Sequence, residues 1–101
     1  MPDEYRSFAD FYPHYLAEHS KRTTRRLHFA GTLLAILTPL YALATQRWGL
    51  LFLMPVFGYG LAWVGHFAVE KNRPATFKHP LYSLAGDFVM FKDMLTGRIP
   101  F

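Results

Sequence analysis

Two long apolar runs dominate the chain, separated by three residues. The first is residues 27–45, LHFAGTLLAILTPLYALAT, and the second is residues 49–69, GLLFLMPVFGYGLAWVGHFAV. Neither carries a formal charge. At 1.5 Å per residue the first would extend roughly 28 Å as a helix, the depth of a bilayer core. Pro39 predicts a kink in the first helix, and Pro55 lies near the entry of the second. Gly31, Ala35, Thr38 and Ala42 recur at helical spacing, as do Gly58, Ala62 and Gly65. Two stripes of small residues let two helices approach closely. With only Gln46-Arg47-Trp48 between them, the runs predict a tight antiparallel hairpin, with Trp48 at an interface.

The flanks predict shorter elements. Ser7-Phe8-Ala9-Asp10 has the form of a capping box, with Asp10 in place of the usual Glu or Gln. Pro13 fits the first turn of a helix that runs to about Ser20. Residues 76–82 read as a loop. Residues 83–95 read as a helix with Leu84, Phe88, Phe91 and Leu95 on one stripe and Gly97 as its stop. This helix is too short to span, so an interfacial or capping position is expected.

Composition sharpens that outline. The chain has 101 residues, enough for one domain, with 51% apolar and 18% aromatic residues. Mean hydropathy is only +0.07, because the charged residues stand in separate blocks. No cysteine is present, which excludes disulfides, thiolate nucleophiles and cysteine-based zinc sites. The net charge of +4 allows nucleic acid or an anionic membrane as partner, and position decides between them. Five Lys/Arg precede the first run, five follow the second, and only Arg47 lies between. That distribution favours a lipid bilayer over nucleic acid and places both termini in the cytoplasm. Residues 1–26 contain no apolar core of a cleavable signal. The expected fold class is an all-α integral membrane protein: an antiparallel two-span helical hairpin with an N-terminal helix and a C-terminal interfacial helix.

Candidate chemistry lies at the cytoplasmic end of the hairpin. His28 and His66 are equidistant from a turn near residue 47, so they should sit at one depth across the helix interface. Glu70 follows His66 by one helical turn, and Arg73-Pro74 then stops the helix. Two imidazoles and a carboxylate suit non-haem iron(II), and zinc would accept the same ligands. His19 can join them only if the chain bends over Ser20–Thr24. His79 has a second route, through a loop returning to the same side, whereas His14 is expected at the surface. Arg25 and Arg26 suit lipid phosphates, while Arg73 suits the carboxylate of an acidic lipid. Asp87 lies within the last helix, either exposed, which is the expectation, or orienting a ligand histidine. No phosphate-binding glycine loop, HExxH or GxSxG motif is present.

The stretch GHFAVEKNRPA at residues 65–75 resembles the signature of the Mpo-like 2-hydroxy-fatty-acid dioxygenases. The resemblance extends to Tyr15 and His19, to His28-Phe29-Ala30-Gly31, to HPLYSLAGD and to the terminal TGRIPF. It implies an iron(II)-dependent dioxygenase that shortens 2-hydroxy fatty acids by one carbon, using dioxygen. The family's fungal member does so in the endoplasmic reticulum membrane, during phytosphingosine breakdown, and needs histidines for iron. Carried over by position, the resemblance implies His19, His28 and His66 as ligands of Fe(II), with His79 a further candidate. Glu70 is expected as a fourth ligand or a base, and Arg73 as the substrate clamp. The chain is shorter than the fungal type, as in small bacterial members, so a bacterial inner membrane is the expected location, or the endoplasmic reticulum membrane if the source is eukaryotic. The rival expectation is a non-catalytic hairpin that binds lipid or a partner protein.

Overall fold

The first apolar run lies wholly within α2, Arg22–Thr45, which starts five residues before it. The second follows in three pieces: a 3-10 turn at Trp48–Phe52, α3 at Leu53–Val64, and a π-helical turn at Gly65–Glu70. Between α2 and the 3-10 turn, Gln46 takes a left-handed conformation (φ 56°) and donates to the Ala42 and Leu43 carbonyls, closing the helix end. Shorter helices flank the hairpin: α1 at Phe8–Ala17 and α4 at Pro80–Leu95. The computed structural model describes residues 5–101, which contain helices, turns and no strand.

The small-residue stripes do form the hairpin interface. Gly31, Thr38 and Ala42 of α2 are buried, as are Ala62 and Gly65 on the returning segment. Gly31 marks the closest approach. A Cβ built there would stand 2.7 Å from the Phe57 carbonyl oxygen and 3.3 Å from the Leu61 Cβ. Backbone cannot yield as a flexible side chain can. Gly31→Ala should therefore destabilise the hairpin by about 1–3 kcal/mol. Gly49→Ala, where a Cβ meets nothing within 4 Å, should leave the melting temperature in detergent unchanged, and equal melting of the two variants would contradict this account.

The outer faces of α2 and α3 stay apolar and uncovered. Leu43 is 62% exposed, Val56 60% and Phe52 81%. Both helical segments, Arg22–Thr45 and Trp48–Glu70, are long and apolar enough to cross a membrane, and little of either is buried within the protein. A soluble core helix of this length would bury its apolar face.

The buried core lies instead between α1 and α4. Phe11, Tyr15, Ala75, Met90 and Met94 form it, with Tyr12, Phe29 and Tyr82 packed around. Ser7 caps α1 as its sequence predicts, accepting from the Asp10 amide at 3.2 Å. Pro13 does not open this helix. It stands inside α1, because the Ser7 cap starts the helix upstream of it. Helix α4 begins at Pro80, three residues before the expected start, since proline fits the first helical position. Gly97 follows its end with φ +83°. The stripe through Leu84, Phe88 and Leu95 points outward, exposed by 44–67%. Ser83, Gly86, Met90 and Asp93 form the buried face of α4. Gly86 is required there, because a Cβ would meet the Tyr15 ring at 2.8 Å.

Candidate metal centre

Three segments each deliver one histidine to the same place. His19 sits in the turn after α1, His28 in the second turn of α2, and His66 in the π turn that ends the hairpin. They are 1%, 4% and 2% exposed. One ring nitrogen from each lies within 4.8 Å of the others, so the three could hold a metal ion. The rings meet edge to face, with centroids 4.2, 4.5 and 5.0 Å apart.

The bend that brings His19 in is held from both sides. Arg25 donates to the His19 carbonyl at 3.2 Å and the Ser20 carbonyl at 2.9 Å. The Glu70 carboxylate accepts from the Ser20 hydroxyl at 2.9 Å and the Lys21 amide at 2.7 Å. Lys21 in turn donates its ammonium to the Val69 carbonyl at 3.1 Å.

Hydrogen bonding fixes which nitrogen faces inward. Nδ1 of His19 lies 2.6 Å from the Tyr15 carbonyl, and Nδ1 of His28 lies 3.2 Å from the Thr24 carbonyl. Nδ1 of His66 lies 2.7 Å from Oδ1 of Asn72. The Asn72 amide is oriented by its own Nδ2, which donates to the Glu18 carbonyl at 3.2 Å. A carbonyl oxygen can only accept, so each Nδ1 carries the hydrogen and each Nε2 keeps its lone pair. Burial pushes the His19 imidazole down to about 3, opposed by its bond to the Tyr15 carbonyl, so this ring is neutral at neutral pH.

Nε2 of His19 and Nε2 of His28 are 2.9 Å apart. Two lone pairs at that distance repel unless something electrophilic lies between them. Ligand bonds of about 2.1 Å at right angles would set two nitrogens about 3 Å apart. The donor set therefore fits a metal: three neutral imidazoles, each backed by a carbonyl acceptor that aims the ring.

The family model described as 2-hydroxy-palmitic acid dioxygenase Mpo1-like matches residues 5–99. The chain belongs to the Mpo1-like family. No curated protein and no solved structure gave a match. The family description gives a dioxygenase acting on a 2-hydroxy fatty acid, and the buried histidine triad is compatible with it.

The other residues singled out in this Mpo1-like sequence stand elsewhere. His79 lies outside the triad, with its ring against Tyr5 and Phe11 at 5.2 and 5.5 Å. Helix α4 starts directly after it, so the expected loop ends at His79, which stands at the helix N-terminus away from the triad. His14 is half-buried near the surface, 3.3 Å from Glu18. Glu70, the last residue of the π turn, is bound to the α1–α2 turn as described and lies outside the triad. Arg73 stacks on Phe77 at 5.1 Å and lines a cavity of about 360 Å³ with His14, Glu18, Lys78 and His79. Arg26, expected on lipid phosphate, donates to the Phe101 carbonyl at 3.0 Å and covers its ring.

Asp87 is not the exposed aspartate that its place in an apolar stripe predicts. Its side chain is 18% exposed and lies 4.0 Å from Nε2 of His28. Tyr15 donates to Oδ1 of Asp87 at 2.5 Å. Burial pushes the Asp87 carboxyl up to about 6, against the lowering effect of that hydrogen bond. Tyr15 thus serves twice, stacking on His19 with centroids 4.1 Å apart while holding Asp87. Asn72 was legible only as part of the GHFAVEKNRPA motif. Its spacing of six from His66 matches no α-helical face, and only the π turn brings the two side chains together.

Proposed function

We propose that this Mpo1-like protein is an iron(II)-dependent dioxygenase that shortens 2-hydroxy fatty acids by one carbon at a membrane surface. The observation that carries the proposal is the convergence of three lone-pair-bearing Nε2 atoms in a buried site. His19, His28 and His66 hold the iron, and the carbonyls of Tyr15, Thr24 and Asn72 keep their rings aimed. Bound there, iron(II) supplies the capacity to use dioxygen, which the side chains of this protein lack. The overall change balances with one dioxygen per 2-hydroxy acid, giving the acid one carbon shorter, carbon dioxide and water. Glu70 contributes by fastening the His19 turn to the end of the hairpin, and His79 stays outside the ligand set. Arg73 receives an acidic group in its surface cavity.

In this reading α2 and the Trp48–Glu70 segment cross the bilayer, which covers the exposed leucine, valine and phenylalanine faces. The basic flanks hold both termini on the cytoplasmic side, in a bacterial inner membrane. Purified protein loaded with iron without air, mixed with 2-hydroxyhexadecanoate and then exposed to air, should release pentadecanoate. Hexadecanoate should give no shortened product. Iron-loaded protein that converts neither acid would remove the dioxygenase reading.

A further inference from the structure

A cavity of about 150 Å³ lies between α2, α3 and α4. Its walls are apolar, with Ala35 of α2, Gly58 of α3, and Leu84 and Phe88 of α4 among them. Thr32 and Asp87 give it a polar end. That end adjoins the triad, because Asp87 lies 4.0 Å from His28. The other end opens on the apolar exterior, where Leu84 and Phe88 are 44% and 47% exposed. A groove that joins an apolar exterior to a carboxylate beside a metal-binding triad suits an amphiphile that enters polar end first. Its volume is that of roughly five water molecules, room for a short stretch of hydrocarbon and no more.

We propose that this groove is the acyl-chain entrance of the histidine site. It takes the first few carbons of one hydrocarbon chain from the membrane interior. Asp87 at its inner end accepts a hydrogen bond from the hydroxyl on the carbon next to the acid group. The proposal rests on the dioxygenase reading above and extends it. Tyr15 occupies one Asp87 oxygen, which fixes the carboxylate and leaves it acceptor capacity. Because only the proximal carbons fit, substrates are chosen by what lies near the head. The remainder of the chain stays along the outer faces of α3 and α4.

The test uses metal-free protein in lipid nanodiscs and a 2-hydroxy fatty acid carrying a photoreactive diazirine near its fifth carbon. After irradiation, mass spectrometry should find the label on the Leu84–Phe88 or Met54–Tyr59 segments. Competition by 2-hydroxyhexadecanoate should be about tenfold stronger than by hexadecanoate, the worth of one hydrogen bond to a charged acceptor. Gly58→Leu fills the groove and should abolish this labelling. Gly60→Leu, added where nothing lies within 4 Å, should retain it. Asp87→Ala should erase the preference for the hydroxy acid. Circular dichroism matched to wild type confirms that each variant compared is folded. Label spread evenly over the hairpin, or unchanged in Gly58→Leu, overturns the groove. A hydroxy-acid preference kept in Asp87→Ala overturns its polar end. Labelling needs no iron, so a failure of turnover with intact labelling counts against the dioxygenase reading alone.

Discussion

Iron binding should be lost when His28 is replaced by alanine and kept when His79 is. His28 brings one of the two Nε2 atoms that lie 2.9 Å apart. Removing it leaves His19 and His66 without the third donor of the only histidine cluster among the described residues, and a buried gap where the ring was. Removing an orienting partner of a metal ligand costs about 10–100-fold in affinity, so the loss of a ligand itself should exceed about 100-fold. Asn72→Ala provides the intermediate value. It deletes the acceptor that aims His66 and should weaken iron by about 10–100-fold without emptying the site. His79→Ala removes a ring packed on Tyr5 and Phe11 and should leave affinity at the wild-type level. Anaerobic titration of iron against a chelator of known affinity measures all three. The assignment fails if His28→Ala binds as wild type does, or if His79→Ala and His28→Ala lose iron alike.

Acid should unfold the metal-free protein well before it titrates most surface carboxylates. The His19 imidazole lies at about 3 in the fold against 6.5 when exposed. Below pH 6.5 the unfolded chain takes a proton here that the folded protein refuses, so stability falls as pH falls. The loss is about 1.4 kcal/mol for each pH unit, reaching about 5 kcal/mol near pH 3. This contribution is fully present above pH 6.5. A bound metal competes with the same proton and should protect the fold. Melting temperature in detergent, followed from pH 7.5 to 4.5, should drop steeply for metal-free protein, less with iron(II) bound, and less in His19→Gln. A flat profile for the metal-free wild type would rule out a buried neutral His19.

The hairpin could be read from sequence because its determinants repeat. Apolar length, small residues at helical spacing and the placement of Lys/Arg each point to the same arrangement, and symmetry about the turn brings His28 opposite His66. His19 needed a bend, which the cap-type residues from Ser20 to Thr24 permitted. What stayed hidden depends on contacts between segments far apart in the chain. Asp87 looks exposed within its own helix, and Tyr15, 72 residues away, holds it inward beside His28. The outward stripe of α4 follows from the same cause. Tyr15 needs the space that Gly86 leaves, so the face carrying Gly86 is the one turned inward. The position of Glu70 depends on a local change from α to π register, which no residue spacing announces.

The stitching of the His19 turn to the end of the hairpin also sets an order of events during synthesis. His19 leaves the ribosome early, but the partners that fix its surroundings come much later: Glu70 for the turn, Asn72 for His66, and Asp87 for Tyr15. Until these have been made, α1 has nothing to dock on and the three rings have no common centre. The nascent chain therefore lacks the aimed triad until Asp87 has been made. A chain cut short before Asn72 carries all three histidines but not the acceptor that aims the third. The aim of the three rings is thus set last, by the segment from Glu70 to Asp87, long after His19 and His28 have been made.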